Sequence, residues 1–298
     1  MARKSNLILI GVVLSVVLVG CSNNATTTEV TIPLATTTMV LICDPPDFLQ
    51  CSKHNFAMQD WSDASFKNAN LEGADLSGAT FNRVDFRGAN LKGANLSRAF
   101  FNGSIFDDAD LKGANLYKSE IKGASFYDSW LVNVNFKNSE LSYASGDRTN
   151  FSSSDFSEAI LTGTSFTHSN FTEAIFIGTD LTFASLMGSN FFNAKFVLAM
   201  LDDADLTGSI FSGVEFTTSF LKRVLLLKTD LSGIKAIYCD FSYAKLDGSD
   251  LRTANLEGSV FKETSMQRVN LSGAITKEAI FKHTILTGAT MPDGTIHN

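Results

Sequence analysis

From Phe56 onward a large apolar residue recurs at every fifth position without a break in register. The series has 48 positions up to Met291: twenty are Phe, 21 are Leu, and Trp61, Ile121, Met266 and Met291 supply four more. Gly146, Ala236 and Thr276 are the exceptions. Two positions ahead of the large residue stands a small one, from Ala64 to Ala289, and all 46 are Ala, Ser, Thr, Val or Cys except Ile234. A period of five is neither the 2.0 of a strand nor the 3.6 of a helix. A chain that sends one large and one small residue into the same interior every five residues must keep turning. Such units stack, because one alone cannot bury its own apolar face.

The first forty residues lie outside this pattern. Arg3 and Lys4 precede the apolar run Leu7 to Val19, which is shorter than the about 20 residues a membrane-spanning helix needs. Its layout is that of a secretory signal peptide. It ends in Leu18-Val19-Gly20-Cys21, which resembles the lipobox of bacterial lipoproteins. That resemblance implies cleavage before Cys21 and acylation of its thiol and amine with diacylglyceryl and palmitate-class chains. More than one chain on one residue makes a stable anchor. Residues 1–20 are thus expected to be the signal peptide, and 21–40, rich in Thr, a flexible tether. The expected address is the bacterial cell envelope, and the outer membrane where there are two, because Ser22 is not the aspartate of inner-membrane retention.

The runs ANLEGADLSGATF (69–81), ANLKGANLS (89–97) and ADLKGANLY (109–117) resemble the pentapeptide-repeat family. The resemblance implies an all-β fold, a right-handed quadrilateral β-helix with four pentapeptides per coil and about twelve coils over 56–291. Residues twenty apart would then lie above one another. Phe136, Phe156, Phe176, Phe196 and Phe216 would form one ladder, and Phe151, Phe171, Phe191 and Phe211 a second, at a spacing that suits offset ring stacking. Ala236 and Ile234 are expected to compensate one another, whereas Gly146 is expected to leave a cavity or kink between Phe126 and Phe166.

Both ends of such a stack need capping. Residues 41–55 are expected to form the N-terminal cap and 292–298 the C-terminal one. Beside Pro45 and Pro46, Cys43 and Cys51 are the natural pair for a disulfide in an exported protein, with a reduced pair as the alternative. Cys239 belongs to the small inward class and should be an inert thiol.

Composition explains itself once the repeat is seen, since 25 Phe stand against 2 Trp and 5 Tyr. The net charge of −7 becomes −9 when residues 1–20 are removed, and no clustered basic surface points to nucleic acid. His168 and His283 would be nearly six coils, or about 28 Å, apart. Asp107-Asp108 and Asp202-Asp203 are far apart as well and read as solvated corners. No nucleophile motif, phosphate loop or metal-spaced set appears, so catalysis and cofactors are not expected. Asn70, Asn90 and Asp110, just before the large residue, read as side-chain-to-backbone hydrogen-bonding groups.

The surface is asymmetric. The residue before each large one should point outward, and in the column from Asp60 to Ile280 six of twelve are apolar: Phe100, Ile160, Met200, Phe220, Val260 and Ile280. In the column from Asn70 to Thr290 only Trp130 and Ile210 are apolar. A contiguous apolar patch marks a contact with protein or membrane, while β-propensity alone also favours such residues. The expected function is a non-catalytic, lipid-anchored rod for protein–protein interaction or a structural role, its membrane contact made through Cys21 and its protein partner unidentified. The alternative implied by the family is a cytoplasmic, gyrase-binding mimic of duplex DNA, which the interspersed Lys and Arg and the signal peptide oppose. The family also implies a homodimer through the C-terminal coils, near Val224-Leu225-Leu226-Leu227, Val260 and Ile280.

Overall fold

The computed structural model describes residues 50–298. Residues twenty apart bridge in parallel along the whole of this length, from Gln50 with Asn70 to Asn270 with Thr290. Twenty residues therefore make one coil of four pentapeptides, and twelve coils stack as a right-handed quadrilateral β-helix. At ~4.8 Å per coil the rod is on the order of 55 Å long. On one wall the bridges lengthen into β1 (Lys195–Val197), β2 (Glu215–Thr217) and β3 (Lys235–Ile237). These form a parallel sheet in the order β1-β2-β3, with Phe196 opposite Phe216 and Phe216 opposite Ala236.

In the repeat Asn90–Ala94 every backbone donor has a partner. Asn90 N–H donates to Ala69 O in the preceding coil (2.9 Å), and Leu91 and Gly93 donate to Asp110 O (2.7 Å) and Lys112 O (3.0 Å) in the next. Ala94 N–H closes a turn onto Leu91 O (3.0 Å). Only the N–H of Lys92 finds no backbone carbonyl, and the side-chain Oδ1 of Asn90 accepts it (3.3 Å). This is the role of the recurrent Asn and Asp: buried or half-buried donors left unpaired cost free energy. The same side chains also bond along the rod, as Asn90 Nδ2 does to Asn70 Oδ1 (3.1 Å).

Each repeat turns its corner at the second residue after the large one. All 48 of these corners, Lys53 to Gly288, have positive φ. This left-handed conformation is one that glycine takes without strain. Only 17 are glycine, so most corners hold an L-residue in the left-handed region, including the β-branched Thr218 (φ 52°) and Thr253 (φ 57°).

The interior is a stack of rings. Neighbours along Phe136, Phe156, Phe176, Phe196 and Phe216 have centroids 4.8, 5.1, 4.5 and 4.9 Å apart. Along Phe151, Phe171, Phe191 and Phe211 the spacings are 4.9, 4.9 and 4.6 Å. Rings on adjacent walls meet edge-on, as Phe191 and Phe196 do at 5.6 Å and 60°. Ile234 and Ala236 are both fully buried, the larger residue filling what the smaller leaves.

At Gly146 the gap is closed rather than empty. Phe126 and Phe166 lean toward one another, centroids 6.3 Å apart and tilted by 55°. Thr149 Oγ1 donates to Phe126 O (2.7 Å) across the missing side chain. A Cβ on Gly146 would lie 2.5 Å from that hydroxyl and 3.0 Å from the Phe126 carbonyl, so only glycine fits.

The small inward class does more than fill space. At some positions where it carries a hydroxyl the oxygen inserts into the turn of the preceding coil, and at others, such as Ser119 and Ser139, it bonds within its own turn. Ser209 Oγ donates to Leu186 O (3.0 Å) and accepts from Ser189 N–H (3.1 Å). Ser219 Oγ does the same toward Phe196 O (2.8 Å) and Ala199 N–H (3.3 Å). Cys239 occupies such a position, with Sγ 3.3 Å from Phe216 O, and burial pushes its thiol up to about 12.

The ladder is already running at Gln50, before the expected start at 56. Cys51 occupies a large-class core position, is buried, donates N–H to Asn70 O (2.8 Å) and is disulfide-bonded. Its expected partner Cys43 lies outside the described residues, as do Cys21, the signal peptide and the tether. At the other end the chain folds back, with an antiparallel bridge between Thr290 and Ile296 and with His297 N–H donating to Ala289 O (2.8 Å).

Phe176→Ala would remove one ring from the middle of a ladder, and is expected to destabilise the rod by about 3–5 kcal/mol, read from urea unfolding. Thr218→Asn would place a residue tolerant of left-handed backbone at a strained corner. It is expected to stabilise by about 1 kcal/mol, read as a raised unfolding midpoint.

Candidate interaction surface

The outward column predicted to be apolar lies on one flat wall. Thr80 bridges Phe100, Met200 bridges Phe220, and Val260 bridges Ile280, so neighbours in the column are one coil apart. Phe100, Ile160, Met200, Phe220 (45% exposed) and Ile280 (50%) are open to solvent, and Val260 is half-buried. On the Asn-rich wall Trp130 (57%) and Ile210 stand exposed but singly. In the run Val224–Leu227, Val224 and Leu226 are fully buried core residues and only Leu225 and Leu227 face outward in part. Half of that run is therefore not surface at all.

Two of the apolar residues stand where a repeat would ordinarily place Asn or Asp, and the structure supplies a substitute acceptor. Beside Phe220, Lys222 N–H donates to Asp202 Oδ1 of the preceding coil (2.8 Å). Beside Phe100, Asn102 N–H donates to Asn82 Oδ1 (3.0 Å). Asp202 thus satisfies the backbone and frees position 220 for a ring. Sequence reasoning read Asp202-Asp203 as a solvated corner; the positions twenty residues ahead hold the signal it did not use.

The corners flanking this wall widen the patch. One carries Tyr143 (72% exposed), Phe183 (64%) and Tyr243, the other Ile177, Leu198 and Tyr238. These were missed because corner residues were not read as surface. Two of these poses depend on a glycine one coil on: a Cβ at Gly163 would lie 2.9 Å from the Tyr143 ring, and one at Gly258 2.4 Å from the Tyr238 ring. Each ring lies down along the rod over a residue with no side chain.

Charge on the wall is unevenly compensated. Toward its C-terminal part, Arg223 pairs with Asp203 (2.6 Å) and Lys222 with Asp240 (3.2 Å). The Arg223 guanidinium holds the Asp203 carboxyl below the usual carboxylate range. Partial burial pushes the Asp240 carboxyl up, but bonds from Ser242 and Lys222 outweigh it and leave the group lowered. Glu158, Asp180 and Asp202 have no ion pair among the described residues.

The remaining polar groups are spread out. His168 Nδ1 lies 2.8 Å from Asp147 Oδ1, an exposed pair at a corner. Asp107 Oδ1 accepts Tyr127 N–H (3.0 Å) in the same capping role as Asp202. Among the described residues no group of three or more His, Cys, Asp or Glu side chains is placed to hold a metal ion. An open groove of about 500 Å³ lies at another corner between Lys228, Gly248 and Arg268.

Comparison with known proteins agrees with this geometry. The pentapeptide-repeat family model matches in eight copies, the first at residues 62–98 and the last at 254–291. A search of curated proteins finds no match. Among solved structures the chain is similar to HetL, a pentapeptide repeat protein involved in heterocyst differentiation regulation in the cyanobacterium Nostoc sp. strain PCC 7120. Identity is 25%, over 83% of this chain and 92% of that one, with a TM-score of 0.29. It is also similar to QnrB1, a plasmid-mediated fluoroquinolone resistance protein, at 17% identity over 54% and 91% of the two chains, with a TM-score of 0.31. A pentapeptide repeat protein of the Arabidopsis thaliana thylakoid lumen matches at 26% identity over 37% and 67%, with a TM-score of 0.26. Family-model matches across most of the chain, and a core that repeats every five residues, establish that it belongs to the pentapeptide-repeat family.

Proposed function

We propose that this protein is a non-catalytic envelope lipoprotein, a rigid rod on a lipid tether that presents one wall to a protein partner. The observation that carries the reading is the exposed column Phe100, Ile160, Met200, Phe220, Val260 and Ile280, widened by aromatic corners on both sides. A fold that satisfies its own backbone has no need of these side chains, and exposed apolar surface, with Met200 beside Phe220 and Val260 beside Ile280, is characteristic of contact sites. The polar groups support the same reading from the other side, because Asp107 and Asp202 cap turns, Asp203 pairs with Arg223, and these acids do not converge. The tether and anchor rest on the residues Leu18-Val19-Gly20-Cys21 and the Thr-rich segment after them. The membrane is engaged through Cys21 and not through the rod, and no cofactor is required.

Fractionation of cells making wild type and Cys21→Ser tests the anchor, with mass spectrometry of the mature N-terminus. The wild type is expected in the membrane fraction, acylated and cut before Cys21; Cys21→Ser is expected to lose both properties. A wild-type protein that is soluble, cytoplasmic and begins at Met1 or Ala2 would overturn the reading and bring a gyrase-inhibition assay forward.

The wall is tested separately by crosslinking in cells. Replacing Met200 and Phe220 together by Ser is expected to weaken association with the partner while leaving the circular dichroism unchanged. Undiminished crosslinking would remove the wall from the account.

A further inference from the structure

The reading of the wall as an interaction surface leaves the chemistry of its partner open, and the wall itself constrains that chemistry in two ways. The first is the backbone. Met200 N–H donates to Thr179 O (3.0 Å), Leu201 N–H to Phe220 O (2.8 Å) and Phe220 N–H to Ala199 O (2.9 Å). No ladder group on this face is free to pair with an incoming strand. A partner laid on it must satisfy its own backbone hydrogen bonds, and an α-helix is the element that does so. Its rows of side chains repeat every ~5.4 Å, close to the ~4.8 Å at which the coils repeat, so a helix lying along the rod meets successive coils almost in step.

The second constraint is charge. Ile160, Leu198, Met200 and Phe220 form the exposed apolar centre. Asp180 lies within the same outward column, between Ile160 and Met200, and its carboxylate takes hydrogen bonds only from Thr162 and Thr182. Glu158 lies at one flanking corner and Asp202 at the other, and neither forms an ion pair. The nearest cations on the wall, Lys222 and Arg223, are already held by Asp240 and Asp203. The apolar centre is therefore rimmed by three acids that form no ion pair, of which Asp202 also accepts Lys222 N–H. A second copy of the same face would set these acids against acids, which is destabilising, and an anionic membrane would be repelled.

We propose that the partner is a basic amphipathic helix, seated lengthwise on the wall from Ile160 to Phe220, with its aliphatic stripe on Met200 and Phe220 and its Lys or Arg residues facing Glu158, Asp180 and Asp202. This rests on the wall being an interaction surface and adds the partner's class to it.

The test uses the full chain and synthetic fluorescent peptides of about 18 residues, roughly 27 Å as a helix. One peptide carries a leucine stripe flanked by lysines; the other is identical except for glutamates in place of the lysines. At low salt the lysine peptide is expected to bind about tenfold tighter than the glutamate peptide by fluorescence anisotropy. That preference is expected to vanish in the triple variant Glu158→Gln, Asp180→Asn, Asp202→Asn, whose circular dichroism reports whether the fold is intact. Should removing the Asp202 acceptor disturb the fold, the double variant Glu158→Gln, Asp180→Asn is expected to lose most of the preference.

Equal binding of the two peptides, or a preference that survives in the variants, overturns the proposal. So does failure of the lysine peptide to bind at all. If Met200→Ser with Phe220→Ser still abolishes crosslinking in cells in those cases, the wall stands and only the partner's class falls. Binding of the Cys21→Ser chain to neutral phosphatidylcholine vesicles, lost on the same two substitutions, would overturn the proposal in favour of a lipid surface.

Discussion

The backbone hydrogen bonds that tie each repeat to the coils on either side are the constraint from which the rest of this molecule follows. In a repeat such as Asn90–Ala94 three donors reach neighbouring coils, one closes a turn, and the fifth, Lys92 N–H, is taken by the Asn90 side chain. The arrangement works only if every coil holds the same number of residues, because each carbonyl accepts from a residue at a fixed offset. An insertion or deletion that broke the five-residue register would orphan donors on a wall that is buried or half-buried, at a cost of about 1–3 kcal/mol for each. The absence of any register shift from Phe56 to Met291 is the sequence-level image of that requirement.

The interior and the corners pull in opposite directions. Ring stacks such as Phe156–Phe176–Phe196 and hydroxyl insertions such as Ser189–Ser209 stabilise the axis of the rod. At the corners most residues are held at positive φ without being glycine, a conformation costing roughly 1–2 kcal/mol for an ordinary L-residue. The coil accepts this because a tight corner is what brings the large and small classes into one interior. At some corners glycine also makes room for a neighbour, Gly163 under Tyr143 and Gly258 under Tyr238, and in the core Gly146 does so beneath the Phe126 carbonyl.

The fold was legible because its period is short and its core residues are of two kinds only. The ring ladders, the compensation of Ala236 by Ile234 and the outward apolar column could all be placed by counting in fives and twenties. What could not be read depends on geometry between coils. Asp202 looked like a solvated corner, although it caps the turn beside Phe220, because its target lies twenty residues away. Gly146 looked like a defect, although leaning rings and the Thr149 hydroxyl close the gap. The aromatic corners at Tyr143 and Tyr238 were hidden because the way each ring lies depends on a glycine one coil on, Gly163 and Gly258. At Phe100 and Phe220 the apolar side chain and the capping are thus one device: relocating the acceptor to the preceding coil lets a ring that the fold does not need stand outward.

The claim on which all of this rests is that the coil is a fixed unit of twenty residues, so that walls and ladders are set by register alone. Deleting residues 121–140 removes one whole coil and joins Glu120 to Leu141 with every column preserved. Deleting 121–138 instead places Ser139 at a large-class position and shifts all that follows. The first variant is expected to keep its β-rich circular dichroism and to unfold within about 5 °C of the wild type, while the second loses cooperative unfolding. Equal tolerance of both deletions, or equal collapse, would contradict the account.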